Sequence, residues 1–286
     1  MKNTQDMSNF LPTHDLVFKK LFGNQNNSNI TKDLASKIIN KEITSIKIKD
    51  SSSQQSEYFN QKNCILDIEA VIDNDTLCDI EMQVEDDEDI FKRILFYWTK
   101  LYMNQEKNIP GKNTYRNMKK TIVILIMKYQ NNITDSIPKI KTKWNIREEN
   151  YSKVILTDDL EFYIINLKKL KENDIEIDNS SLIPWLKFLM DPNSLEEKDM
   201  IENKYLKEAE EKYKGILSDY DIRGIAWRME AAELDKNSRE EREREKFEKA
   251  IKEKQIEIAK ELLKLKLPIE QIIQATKLTK EEIEKL

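Results

Sequence analysis

The run "TIVILIM" at 121–127 holds six consecutive apolar residues after Thr121. A stretch with no polar face cannot lie half in water, so it belongs at the centre of a sheet. Its isoleucines and valine favour strand over helix, and it is far too short for the roughly 20 residues that span a bilayer. Around it the period switches. Alternation predicts strands in "EITSIKIKD" (42–50), near 65–72, 77–84, near 140–147 in "KTKWNIRE" and in "LEFYIINL" (160–167). Helical spacing predicts helices over 13–23, opened by Thr13 and closed by Gly23, over 29–39, and over 88–107 with Phe91, Ile94, Leu95, Trp98, Leu101 and Tyr102 on its apolar side. The polar stretch 51–63 reads as a loop. Helices interleaved with strands in this way make an α/β domain with a mixed sheet.

The rest of the 286-residue chain narrows the class further. Four Gly and six Pro exclude a collagen-like or loop-dominated chain. Cys64 and Cys78 are too few for a disulfide scaffold, lack metal-site spacing, and read as small core residues in a reducing cytoplasm. Residues 1–12 read as a flexible lead-in without the apolar segment of a secretory signal. A cytoplasmic protein with no membrane partner is therefore expected. Beyond about residue 180 every signal is helical. "SLIPWLKFLM" tolerates Pro184 early in a helix, and a charged helix is expected over 239–267 with a stripe of Phe247, Ile251, Ile258 and Leu262. The last segment reads as two short helices. The expected division is a core at 1–178 and a helical C-terminal region at 179–286.

Charge is distributed unevenly. Residues 64–91 contain eleven acids and no Lys or Arg, although they otherwise read as two strands and a helix start. Period two assigns the faces. Leu66, Ile68, Ala70 and Ile72 share one side with Cys78, Ile80, Met82 and Val84; Asp67 and Glu69 share the other with Asp79, Glu81 and Gln83. A turn of Asp73, Asn74 and Asp75 places Asp67 opposite Glu81 and Glu69 opposite Asp79, because a one-residue slip would mix the faces. Like charges opposed on a hairpin repel. Either the face is open to water, or basic residues or a hard divalent cation compensate it. The acids "EDDED" at 85–89 are expected only to favour the start of the following helix.

Three stretches, "DLVFKKLFG" (15–23), "LDIEAVIDNDTLCDIEMQ" (66–83) and "FKRILFYWTKLY" (91–102), together with the closing "EQIIQATKLTKEEIEKL", resemble the Rpn-like recombination-promoting nucleases, also described as transposases, a branch of the PD-(D/E)XK nuclease superfamily. The resemblance implies a restriction-endonuclease-like core, a mixed sheet flanked by helices, followed here by an all-helical C-terminal region. It implies that Asp67 and Glu81 hold Mg²⁺ (or Mn²⁺). Where the superfamily has a lysine two residues after the second acid this chain has Gln83, which orients water or phosphate but carries no charge. Glu69 is a candidate third ligand or base. Asp15, in the D-x-x-F-K pattern, is a catalytic candidate or a helix cap. Arg93 and Tyr97, four apart on one helix face, are candidates for the scissile phosphate, with an ion pair between Arg93 and the hairpin acids as the alternative. His14, the single histidine, reads as a loop residue.

Residues 112–153 carry ten Lys or Arg against three acids, so Lys119, Lys120, Lys141 and Lys143 are candidate DNA-phosphate contacts. The function expected is a Mg-dependent DNA endonuclease that promotes recombination or transposition, with a homodimer favoured if both strands are cut. Two alternatives stand beside it: an inactive nuclease fold serving as an interaction module, and a metal-dependent phosphatase.

Overall fold

The computed structural model describes residues 10–49, 67–106, 109, 114–172 and 175–286. Cys64, the 51–63 loop, the lead-in before residue 10 and the first residues of the predicted 65–72 strand lie outside that range.

A six-stranded mixed sheet organises residues up to Tyr220. Its strands are β1 (Ile46–Ile48), β2 (Ile68–Ile72), β3 (Thr76–Gln83), β4 (Lys120–Met127), β5 (Lys141–Trp144) and β6 (Leu160–Asn166), in the order β1-β2-β3-β4-β6-β5. The apolar run forms β4, an inner strand third from the β5 edge and parallel to both β3 and β6. Its residues Thr121 to Met127 are all buried, as a strand covered on both faces requires. Within the β1–β2–β3 meander the pairings are antiparallel, as is that of β5 with β6.

The parallel step from β3 to β4 needs a crossover, which contains α3 (Ile90–Met103). This helix packs Ile90 and Ile94 on Val123, Leu125 and Met127 of β4. Its buried row is Ile90, Ile94, Tyr97 and Leu101. Leu95, placed on the apolar side by spacing, instead faces water, and Tyr97 takes its share of the core. The helix is also shorter at both ends than 88–107, since Asp89 occupies its N-cap position.

A helical layer holds α1 (Asp15–Phe22), α2 (Ser28–Ile39), α6 (Ile183–Met190) and α8 (Lys204–Ser218) together. α1 starts one residue later than expected, with His14 at its cap position and Thr13 buried. At its other end Gly23 makes a close approach: a β-carbon there would lie 2.6 Å from the Lys19 carbonyl oxygen and 3.6 Å from Ile68. Trp185 on α6 is fully buried beside Phe22 and Phe188. Its indole N–H donates to Asp33 on α2 at 2.8 Å, and the Asn203 amide donates to the same Asp33 oxygen at 2.7 Å.

The remaining helices are short pieces, α4 (Thr114–Asn117), α5 (Asn132–Asp135) and α7 (Glu197–Glu202), and a long one, α9 (Tyr220–Lys264). α9 begins well before the expected Arg239. The preceding "DIRGIAWRMEAAELDKNS" is rich in strong helix formers and holds only Gly224 as a breaker, worth about 1 kcal/mol. From Asp221 the chain is a second compact unit, in which α9 packs against α10 (Ile269–Thr276) and α11 (Lys280–Ile283). Ala259, Ile272, Leu278 and Ile283 form its core. Leu262 joins that core, whereas Phe247, Ile251 and Ile258 of the expected stripe are exposed. Among the described residues no helix is long and apolar enough to cross a membrane.

Asp33 is the polar tie between elements remote in sequence. Asp33→Ala strands two donors and is expected to destabilise the protein by about 1–3 kcal/mol. Urea unfolding of the variant beside the parent checks this, and an unchanged midpoint would exclude it.

Candidate active site

The hairpin β2–β3 adopts the register that face-matching requires. Ile68 pairs with Ile80, Glu69 with Asp79, and Ala70 with Cys78. Asp73 and Asn74 turn the chain with positive φ of 49° and 61°, tolerated by short polar side chains. The Asp73 carboxylate accepts from Thr44 N–H and O–H and from Ser45 N–H, tying the turn to the segment before β1.

The polar face of the hairpin is not open to water. In the parallel register Asp79 stands beside Val123 and Glu81 beside Leu125, so both acids share the face that α3 covers. Asp79 is 0% exposed and Glu81 3%. Burial and then the Glu81, Asp67 and Glu69 charges push the Asp79 carboxyl well above the usual carboxylate range. Burial, followed by the Asp67 charge, raises Glu81 to about 8. Neither oxygen of Asp79 meets a donor among the described residues.

Asp67 and Glu81 are locked together across the strands. The Asp67 main-chain N–H donates to Glu81 Oε1 at 3.1 Å, and the Met82 N–H donates to Asp67 Oδ2 at 2.9 Å. From α1, Lys19 Nζ lies 3.1 Å from Asp67 Oδ1 and 2.7 Å from Asp15 Oδ1. Burial raises the Asp67 pKa despite that lysine. The close seating of Gly23 against Ile68 sets the end of α1 beside β2, where Lys19 reaches the acids. Lys19 also lines a cleft of about 440 Å³ with Leu16, Lys20, Asn24 and Gln25.

A second cation closes the other end of the site. Arg93 on α3 places NH2 3.9 Å from Glu81 Oε2 and donates from the same nitrogen to Gln83 Oε1 at 2.9 Å. Its NH1 bonds Asp87 at 2.6 Å. Asp87, expected only to favour the helix start, therefore fixes the arginine. The Gln83 amide is held at both ends, since its Nε2 donates to the Glu85 carbonyl at 3.1 Å. Arg93 stacks over the Tyr97 ring, 5.8 Å from its centroid, while that ring is buried in the core.

The structure thus brings Asp67, Glu81, Gln83, Arg93 and, through Lys19, Asp15 to one place. Glu69 borders it, paired with Lys49 of the segment after β1. It does not bring Lys119 and Lys120 there: Lys120 aligns with Thr76 at the far end of β3, five residues from Leu125, or roughly 17 Å along a strand. Sequence reasoning assigned no role to Asp79 or Lys19. Asp79 was already on the acidic face, and Lys19 stands at the i+4 position from Asp15; both signals were present.

The donor set suits a small hard cation in kind. It consists of carboxylate oxygens alone, two of them on Asp79 buried without any donor, and Mg²⁺ takes only one or two carboxylates, with water and substrate phosphate completing its shell. Among the described residues no three Asp, Glu, His or Cys converge as a ready-made cage. Lys19 and Arg93 supply the compensating charge in the arrangement seen.

A family model described as PD-(D/E)XK nuclease family transposase matches residues 12–261. No curated protein and no solved structure matches the chain.

The raised carboxyls fix a sign for the pH dependence. Folded Glu81 keeps its proton to about pH 8, whereas an ordinary glutamate releases it near 4.5. Between those values the folded state binds more protons than the unfolded one, so stability falls as pH rises through this window. Denaturant melts in chelator at pH 5 and pH 8.5 are expected to show that loss, and Glu81→Gln to shrink it. Equal slopes for parent and variant would rule the assignment out.

Proposed function

The chain belongs to the PD-(D/E)XK nuclease family transposases, and we propose that it is a metal-dependent DNA endonuclease that hydrolyses phosphodiester bonds. The observation that carries this reading is the pair of buried acids Asp79 and Glu81 beside the partly buried Asp67, on a face otherwise occupied by core side chains and flanked by Lys19 and Arg93. Burying carboxylates together costs several kcal/mol per charge, and packing does not account for it.

In this reading Asp67 and Glu81 hold the cation, whose net charge removes the repulsion between them. When bound, Mg²⁺ or Mn²⁺ supplies the Lewis acidity that makes water nucleophilic near neutral pH and neutralises charge on the phosphate. Lys19 takes the place of the missing superfamily lysine. It is an ammonium beside Asp67, 36% exposed, and so able to face the phosphate oxygens as negative charge grows in the transition state. Gln83 cannot do this and instead acts through Arg93. With Asp87 it fixes the guanidinium that faces Glu81, which makes Gln83, Asp87 and Arg93 positioning residues for the second acid. Asp79 stands behind Glu81 and sets the electrostatic pressure that a cation relieves. Recombination or transposition would follow from the cut, as would a role in cutting both strands as a homodimer.

The rival reading keeps the fold as an interaction module without catalysis. The lack of three converged ligands among the described residues favours it. Calorimetry separates the two, since only a nuclease requires Mg²⁺ or Mn²⁺ binding that disappears in Asp67→Ala.

Asp67→Ala is expected to abolish Mg²⁺-dependent nicking of supercoiled plasmid while its melting stays cooperative. Lys19→Met is expected to lower the nicking rate by about 10²–10³, the size of effect seen when one preorganised donor is removed, with cation binding retained. Nicking by Asp67→Ala at the parental rate would overturn the reading.

A further inference from the structure

The lysines that the sequence offered for DNA phosphates are engaged elsewhere. Lys120 and Lys143 both pair with Glu161, at 2.7 and 2.9 Å, and Tyr163 donates to the same carboxylate. Lys141 is buried and lies 3.4 Å from Asp178. Lys119 donates to the Asn74 carbonyl at 2.5 Å, at the hairpin turn.

Three other lysines stand in the opposite situation. β3, β4 and β6 are parallel, so their carboxyl ends share one edge of the sheet, with Gln83, Met127 and Asn166 in register. Lys128 follows β4 directly, and its main-chain N–H donates to the Gln83 carbonyl at 2.9 Å. Lys168 follows β6, its N–H held by Asn166 Oδ1 at 3.0 Å. Lys171 lies one turn further on. Between them Lys169 points inward: it is 1% exposed and donates to the Thr134 carbonyl at 2.6 Å and to that of Ile137. That buried anchor fixes the turn on which Lys168 and Lys171 stand exposed. Burial and the charges of Lys168 and Lys171 press the Lys128 ammonium toward losing its proton. Among the described residues none of the three has an acidic partner.

We propose that Lys128, Lys168 and Lys171 form a backbone-binding subsite for DNA, holding adjacent phosphates of the cleaved strand beside the catalytic carboxylates. It rests on the endonuclease reading and extends it. Three ammonium groups kept together without a counter-ion repel one another, and a phosphodiester oxyanion removes that repulsion while releasing cations from the DNA. Open α/β sheets bind ligands outside the carboxyl ends of their strands, the edge where Gln83 and Arg93 also stand. Two strand steps separate β3 from β6, about 10 Å, which corresponds to roughly three nucleotides at a rise of about 3.4 Å each. The contact is made to phosphate, so it carries no base preference.

The test is fluorescence-anisotropy titration of duplex DNA into the full-length protein, in chelator to prevent cleavage, over a series of salt concentrations. Lys168→Gln/Lys171→Gln is expected to weaken binding at least tenfold and to lower the salt slope by nearly 2, about 0.9 per phosphate contact, equally for unrelated sequences. Adding Lys128→Gln lowers the slope further, and Lys119→Gln leaves it unchanged. Because Lys168 and Lys171 are exposed, the double variant is expected to melt as the parent does and decides the matter even if the triple variant misfolds. A parental slope in the double variant, or an equal loss in Lys119→Gln, overturns the subsite and leaves the cleavage reading standing. If the parent itself does not bind duplex DNA at low salt, both are overturned.

Discussion

The burial of Asp79 and Glu81 on an apolar sheet face is the constraint around which the other features arrange themselves. Carboxylates taken out of water must be neutralised by protons, paired, or coordinated. This protein does some of each. Burial and mutual repulsion hold the carboxyls toward their protonated forms, two main-chain N–H groups cross-link Asp67 and Glu81, and two cations approach from different helices. The site therefore stores unfavourable electrostatic energy in a rigid setting. In the proposed reading, a divalent cation with its phosphate ligand would relieve that energy.

The surrounding fold serves that arrangement. β4 gives the hairpin a partner with no polar demands of its own, and α3 covers the same face while presenting Arg93 at its first turn. Asp87 and Gln83 then determine where the guanidinium points. On the other side, Gly23 lets α1 end close to β2, and Lys19 bridges Asp15 and Asp67. Acid and base thus come from elements remote in sequence, each placed by packing rather than by local propensity.

How much of this was legible follows from the range of the forces involved. Strand period and turn chemistry act over a few residues, so the β2–β3 register, the central position of "TIVILIM" and the facing of Glu69 and Asp79 could be read from residues alone. The resemblance added the restriction-endonuclease-like core and the expectation that Asp67 and Glu81 hold a metal. Whether the acidic face met water could not be read, because that depends on α3 lying across it. The same holds for the lysines. Composition showed a basic stretch at 112–153, but only the tertiary structure shows that Glu161 engages two of its members while Lys128 finds no acid among the described residues. The start of α9 differs for another reason: Gly224 alone does not interrupt the eighteen residues 221–238 that precede Arg239 in the helix.

The ties of the helical layer also set an order of events during synthesis. Asp33 is held by Trp185 and Asn203, and the carbonyl of Phe10 accepts from the Tyr213 hydroxyl. These closures span between 152 and 203 positions. Strands β1 to β6 are all synthesised before the residues that clamp α1 and α2, and α1 carries Lys19. The tie to Tyr213 cannot close until that residue has been made, so the helical layer that carries Lys19 is among the last parts of this unit to be completed.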